Sequence, residues 1–144
     1  MPFTPALPLF RGLRASLKQL RVEGMENVWA RHARMAAAAR AGMQGLGLEL
    51  FAAQPADGLT VAKVPDGVDG SLLLSKLHSQ YGLKVAGGQD NLKGKIIRLG
   101  HMGYIDQFDV LAALAGVELV LKEMGFAVEP GQGVAAAQKV WATA

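Results

Sequence analysis

Residues 93–104 read KGKIIRLGHMGY and place one arginine, Arg98, in the middle of a short apolar run. Glycines bound the run, and its length suits a strand better than a helix. Burial of an unpaired guanidinium is strongly unfavourable, so Arg98 requires an anionic partner. The residues alone leave two candidates open. The partner is either an Asp or Glu of this chain or the carboxylate of a ligand, which the planar guanidinium can bind through two N–H groups.

Four strands are predicted around this arginine. Two of them, 83–86 and 95–99, are separated by a polar loop. The other two, 48–52 and 59–64, are joined by a turn rich in Pro, Asp and Gly, which predicts an antiparallel pair. The arginine strand therefore lies in a small, largely antiparallel sheet.

Apolar residues at helical spacing predict the remaining elements. Residues 10–46 form one long helix or two in tandem, with Gly24 as the break, because glycine is unfavourable inside a helix. Asp69 and Asp106 are suited to cap two further helices, 70–81 and 107–124, and a last helix covers 133–141. Helices on one face of a small sheet define an α+β fold.

The chain divides into three predicted parts. Residues 1–9 are an extended arm, because Pro2, Pro5 and Pro8 restrict the backbone on both sides of each proline. Residues 10–47 are a linking helical region, and residues 48–144 are a C-terminal small α+β domain.

Composition excludes several classes of protein. The 144 residues contain no cysteine, so there is no disulfide framework and no thiolate chemistry, which favours a cytoplasmic protein. We expect no membrane span, since no apolar run approaches the required length. The net charge of +3 does not indicate nucleic-acid binding, because the basic residues lack interleaved aromatics or a reading motif. They are expected to form a solvated helix face: Arg11, Arg14, Lys18, Arg21, Arg31, Arg34 and Arg40.

Residues 94–104 resemble the C-terminal motif of class V aminotransferases, specifically the alanine–glyoxylate, serine–glyoxylate and serine–pyruvate group. The shared pattern is glycine, lysine, two apolar residues, arginine, an apolar residue, glycine and a glycine-containing turn. The resemblance implies that Arg98 binds the α-carboxylate of the substrate and that His101 and Met102 are wall residues. It continues in order through residues 23–32 and 85–88 and covers most of the chain.

The N-terminal arm carries a second similarity. Phe3-Thr4-Pro5-Ala6 resembles the family segment that opens the linking helix, where the threonine reaches the cofactor phosphate of the neighbouring subunit in a homodimer. The resemblance thus implies cofactor contact by Thr4. The other interpretation is that Thr4 only caps the helix that follows.

The family depends on pyridoxal phosphate held by a lysine, and the resemblance places that lysine upstream of the matched segment. Lys84, Lys93 and Lys95 do not show the expected context of a strand end flanked by serines. We therefore expect the C-terminal part of an aminotransferase that moves an amino group from alanine or serine to glyoxylate or another 2-oxo acid, inactive alone. Two alternatives stay open: a stand-alone module that binds a carboxylate or amino acid through Arg98, and an oligomerisation domain.

Overall fold

The computed structural model describes residues 5–142, and Cα proximity separates them into two units after Arg31. The first unit contains α1 (Leu7–Glu23) and the start of α2 (Met25–Gly45). Gly24 separates the two helices with φ of 85°, a conformation that glycine adopts without strain, which confirms the predicted break. The arm is shorter than predicted, since residues 7–9 are already helical. Pro8 does not prevent this, because a proline in the first turn removes no intrahelical hydrogen bond.

Unit two, which begins at His32, holds the sheet and the remaining helices. These are α3 (Gly70–Tyr81), α4 (Gln107–Glu123) and α5 (Gln132–Ala142), all three as predicted to within two residues. Asp69 accepts hydrogen bonds from the N–H groups of Ser71 and Leu72 at the start of α3. Asp106 and Asp109 form a reciprocal capping box at the start of α4. The capping side chains therefore determine where both helices begin.

The core of this unit forms between the helices and one face of the sheet. The second half of α2 contributes a stripe of small and flexible side chains to it, and α4 is buried along most of its length. Close packing requires small residues at the contacts: a Cβ on Gly42 would overlap the side chain of Leu114. The core members with the largest buried side chains are Met43, Leu46, Leu73, Leu77, Ile97, Leu114 and Leu121.

Within residues 5–142, three strands form the sheet, in the order β1 (Leu59–Lys63), β3 (Ile96–Gly100), β2 (Ala86–Gly87), and both pairings are antiparallel. The predicted strand 48–52 pairs antiparallel to β1 as expected, but only through one isolated bridge, Leu50 to Ala62, so it does not form a full fourth strand. Two hydrogen bonds flank the bridge, from Lys63 N–H to Glu49 O at 2.8 Å and from Phe51 N–H to Val61 O at 2.9 Å. The start of the segment is tied elsewhere: the Leu48 N–H group bonds back to the Met43 carbonyl at the end of α2.

The predicted strand 83–86 is displaced toward the C-terminus. The Leu83 N–H group donates to the Leu77 carbonyl and closes the end of α3, so residue 83 cannot enter the sheet. Only Ala86 and Gly87 pair with β3, at Arg98 and Ile97.

Candidate carboxylate site

Arg98 lies at the centre of β3, the middle strand of the sheet. Its register partners are Val61 on β1 and Ala86 on β2. Side chains alternate between the faces of a strand, and Ile97 and Leu99 both belong to the core. Arg98 therefore points to the opposite face, where its side chain is partly exposed.

The guanidinium of Arg98 has a backbone partner but no carboxylate partner within residues 5–142. Its Nε–H group donates to the Gly87 carbonyl oxygen at 2.7 Å. All the ion pairs found in this part of the chain involve other cations. The sequence left an internal Asp or Glu open as the partner of Arg98, and the described structure provides none. The positive charge remains available to an external anion.

His101 is not a wall residue, because its side chain is fully buried. Its Nε2 shares a 2.9 Å hydrogen bond with Thr60 Oγ1, and its backbone N–H group donates to Gly58 O at 3.2 Å. Burial lowers the pKa of the His101 imidazole, and the positive charges of Arg40 and His32 lower it further against an opposing effect of Asp57. The neutral ring thus ties the end of the arginine strand to β1.

The turn after Arg98 is also held by a second histidine. The Gly103 N–H group donates to His32 Nε2 at 3.3 Å. Met102, between these two attachments, is 64% exposed, and Tyr104, just after them, is 96% exposed. The placement of Met102 is compatible with the wall role that the resemblance implies.

Arg40 is a structural arginine that sequence reasoning assigned to a solvated face. Its Nη2 donates to the carbonyl oxygens of Pro55 and Ala56 and to Asp57 Oδ1, at 3.2, 2.8 and 3.0 Å. The guanidinium therefore fixes the turn that precedes β1. Its position near the C-terminal end of α2 gave no sequence signal, since its acceptors lie in a loop that is 15 or more residues away along the chain.

The candidate cofactor contacts, Thr4 and three lysines, receive less support from the structure than Arg98 does. Thr4 lies outside the described residues. Lys84, Lys93 and Lys95 are all exposed, which is unsuitable for a lysine that must work in a closed pocket. Residues 5–142 do not group three His, Asp or Glu side chains as metal ligands. No helix in that range is long and apolar enough to cross a bilayer.

A cavity of about 410 Å³ lies at the edge of the sheet between the end of α3 and α4. Leu83, Val85, Leu99, Val110 and Ala113 supply its apolar wall. Leu99 and Arg98 are adjacent in one strand and point to opposite faces, so this cavity does not open onto the guanidinium.

Comparison with known proteins shows that the chain is similar to a part of several aminotransferases, although no family model matches it. It is 46% identical over 141 residues to an uncharacterized aminotransferase of Methanocaldococcus jannaschii, a match that covers 96% of this chain and 36% of that protein. Serine–glyoxylate and L-aspartate–glyoxylate aminotransferases also match. A relative with a different name, the small subunit of a soluble hydrogenase of Synechococcus, is 42% identical over 99% of this chain and 38% of its own length.

Solved structures agree with the sequence matches. The crystal structure of pyridoxamine–pyruvate aminotransferase from Mesorhizobium loti superposes with a TM-score of 0.93 at 35% identity, covering 99% of this chain and 38% of that one. The chain thus spans a little over a third of the length of the relatives that it matches.

Proposed function

Because the chain is homologous to the C-terminal portion of class V aminotransferases, we propose that it is the part of such an enzyme that binds the substrate carboxylate. The reaction moves an amino group from alanine or serine to glyoxylate or another 2-oxo acid. Every one of these donors and acceptors carries a carboxylate next to the reacting carbon. A fixed cation that recognises this group serves both halves of the reaction.

The observation that supports this role is the lack of a carboxylate partner for Arg98 within residues 5–142. An arginine in the central strand of a sheet is normally paired. Here one edge of the guanidinium is satisfied by the Gly87 carbonyl, and the charge is left for a ligand. Two parallel N–H donors suit a carboxylate better than one ammonium would.

Catalysis requires more than these residues. Pyridoxal phosphate, when bound to a complete enzyme of this family, supplies the electron sink. The described residues do not fit the cofactor itself, since the lysines nearest the arginine strand are exposed. We therefore assign Arg98 to binding and orientation only, with the chain inactive alone. The proposal includes a homodimeric, cytoplasmic enzyme in which Thr4 reaches the partner subunit's cofactor and residues 48–144 act as the small domain.

Substitution of Arg98 tests the assignment. In an enzyme that contains this chain, Arg98→Ala should raise KM for the amino donor and for the 2-oxo acceptor by about 10- to 100-fold, the value of a lost charge-assisted hydrogen bond. Arg98→Lys should recover only part of the loss, because an ammonium cannot form the paired contact. Steady-state kinetics with each substrate varied in turn gives both constants.

Lys95→Ala is the matched control. It also removes one positive charge next to β3, but residue 95 is exposed and lies in the turn that precedes the strand. Its KM values should stay close to those of the parent enzyme. Unchanged KM values in Arg98→Ala would remove this residue from the substrate site.

A stand-alone carboxylate-binding module is the second candidate, favoured by the same unpaired cation. Calorimetric titration of the chain with pyruvate, with and without pyridoxal phosphate, separates the two. Two results together would favour the module. Pyruvate binding would saturate with the same affinity in the presence and absence of pyridoxal phosphate, and catalytic activity would not depend on a longer chain.

A further inference from the structure

The hydrogen bond between Arg98 and Gly87 restricts how the guanidinium can be used. A guanidinium has five N–H donors, one on Nε and two on each terminal nitrogen. The Nε–H group is occupied by the Gly87 carbonyl at 2.7 Å. A carboxylate therefore cannot take the edge formed by Nε and one terminal nitrogen. The carboxylate can bind only the end of the guanidinium, where N–H groups of Nη1 and Nη2 point in parallel.

The peptide that carries the Gly87 carbonyl continues into Gly88, which lies against the backbone of Leu92. A Cβ on Gly88 would overlap the Leu92 carbonyl oxygen and would lie 2.5 Å from the carbonyl carbon. Leu92 cannot easily give way, because its oxygen accepts a 3.0 Å hydrogen bond from the N–H group of Lys95, the residue that precedes β3. Gly88 thus lies directly against backbone that is anchored to β3.

The loop that contains Leu92 is fixed from its other side by α3. A Cβ on Gly70, the first residue of that helix, would overlap the Gly94 carbonyl oxygen. Asp90 adopts φ of 48°, which is uncommon for a residue other than glycine and persists only when the surroundings enforce it. Residues 88–94 are therefore closely packed, with Gly94 against the start of α3 and Leu92 against Gly88.

We infer that Gly88 is a positioning residue, which acts through the Gly87 carbonyl to present Nη1 and Nη2 of Arg98 end-on to the substrate carboxylate. This inference rests on the proposed function, and it adds the geometry of the clamp and a residue that does not touch the ligand. Any side chain at position 88 displaces the peptide between residues 87 and 88. The guanidinium then loses its orientation but keeps its charge.

Nuclear magnetic resonance of the unmodified chain, labelled with nitrogen-15 and carbon-13, tests the hydrogen bond directly. The Arg98 Nε–H signal should be protected from solvent exchange and should show a coupling through the hydrogen bond to the Gly87 carbonyl carbon. On titration with pyruvate the Nη signals should shift, while the Nε–H signal stays protected. Rapid exchange of Nε–H with no such coupling would overturn the inference, whatever the behaviour of any variant.

Gly88→Ala and Gly100→Ala form a matched pair of variants. A Cβ at position 100 meets nothing within 4 Å, although it lies only two residues from Arg98 in the same strand. Gly88→Ala should speed Nε–H exchange at least tenfold and weaken pyruvate binding about tenfold, the value of one lost hydrogen bond to a charged group. Gly100→Ala should change neither. Full Nε–H protection in folded Gly88→Ala would refute the positioning role.

The experiment also separates this inference from the function on which it rests. If the Nε–H bond is present but pyruvate shifts no Nη signal, carboxylate binding by the chain alone is refuted, and the KM values of Arg98→Ala decide the site in a longer enzyme. If pyruvate shifts the Nη signals but Nε–H is unprotected, the carboxylate site stands and the positioning role of Gly88 is refuted. Should Gly88→Ala fail to fold, the coupling in the unmodified chain decides.

Discussion

Substitution of Glu118 by glutamine should destabilise the chain more than any other loss of a single charge on α4. Glu118 is only 3% exposed, and its carboxylate accepts three backbone N–H groups at the start of α5. Oε1 accepts from Gly133 at 2.7 Å and Val134 at 2.9 Å, and Oε2 accepts from Gly131 at 2.8 Å. A side chain of one helix thus caps the next helix, whose first N–H groups have no intrahelical partner.

Glutamine has the same shape but only one acceptor oxygen. Its amide nitrogen must face one of the three donors, so one hydrogen bond to a charged group is lost, together with the attraction between the carboxylate and the helix dipole. These two losses add to about 3 kcal/mol. For a chain of this size such a change lowers Tm by about 10 °C.

Thermal unfolding followed by far-UV circular dichroism measures this difference. Glu123→Gln is the control, because it makes the same chemical change on the same helix at an exposed carboxylate paired with Lys76. Its Tm should stay much closer to that of the parent chain. Equal shifts for the two variants would show that the cap of α5 does not depend on the charge of Glu118.

Two further predictions concern the sheet. Val61 is the register partner of Arg98 in a pair without mutual backbone hydrogen bonds, where side chains approach most closely. Val61→Glu should therefore supply an internal carboxylate and weaken pyruvate binding several-fold in calorimetric titration, whereas Val61→Gln should not; equal affinities for the two variants would argue against an accessible guanidinium. The lowered pKa of buried His101 means that the folded chain binds fewer protons than the unfolded chain below the ordinary value of 6.5. Stability should therefore fall as pH decreases through 6.5 toward the pKa of the folded state. When Tm is measured from neutral to mildly acidic pH, it should decrease less for His101→Asn than for the parent chain.

Local chemistry accounts for most of the correct predictions. Asp69 and Asp106 have short side chains that accept hydrogen bonds from N–H groups two and three residues away. The residues next to each helix start are therefore enough to predict where α3 and α4 begin. Gly24 and Gly82 mark helix ends because they adopt positive φ at little cost. The strand errors arise where the chain bonds back to the helix that has just ended: the N–H groups of Leu48 and Leu83 donate to carbonyls in the last turns of α2 and α3.

Arg98 illustrates the difference between what the sequence determines and what only the tertiary structure determines. An arginine within IIRL is visible in the sequence, and the expectation that it binds an anion follows from the cost of burying charge. Whether that anion belongs to the chain depends on which residues the fold brings within about 4 Å, and such neighbours are far apart in sequence. Tertiary structure alone places Gly87 against Nε and buries His101 and Arg40 in supporting contacts, because each of these bonds joins residues 11 or more positions apart.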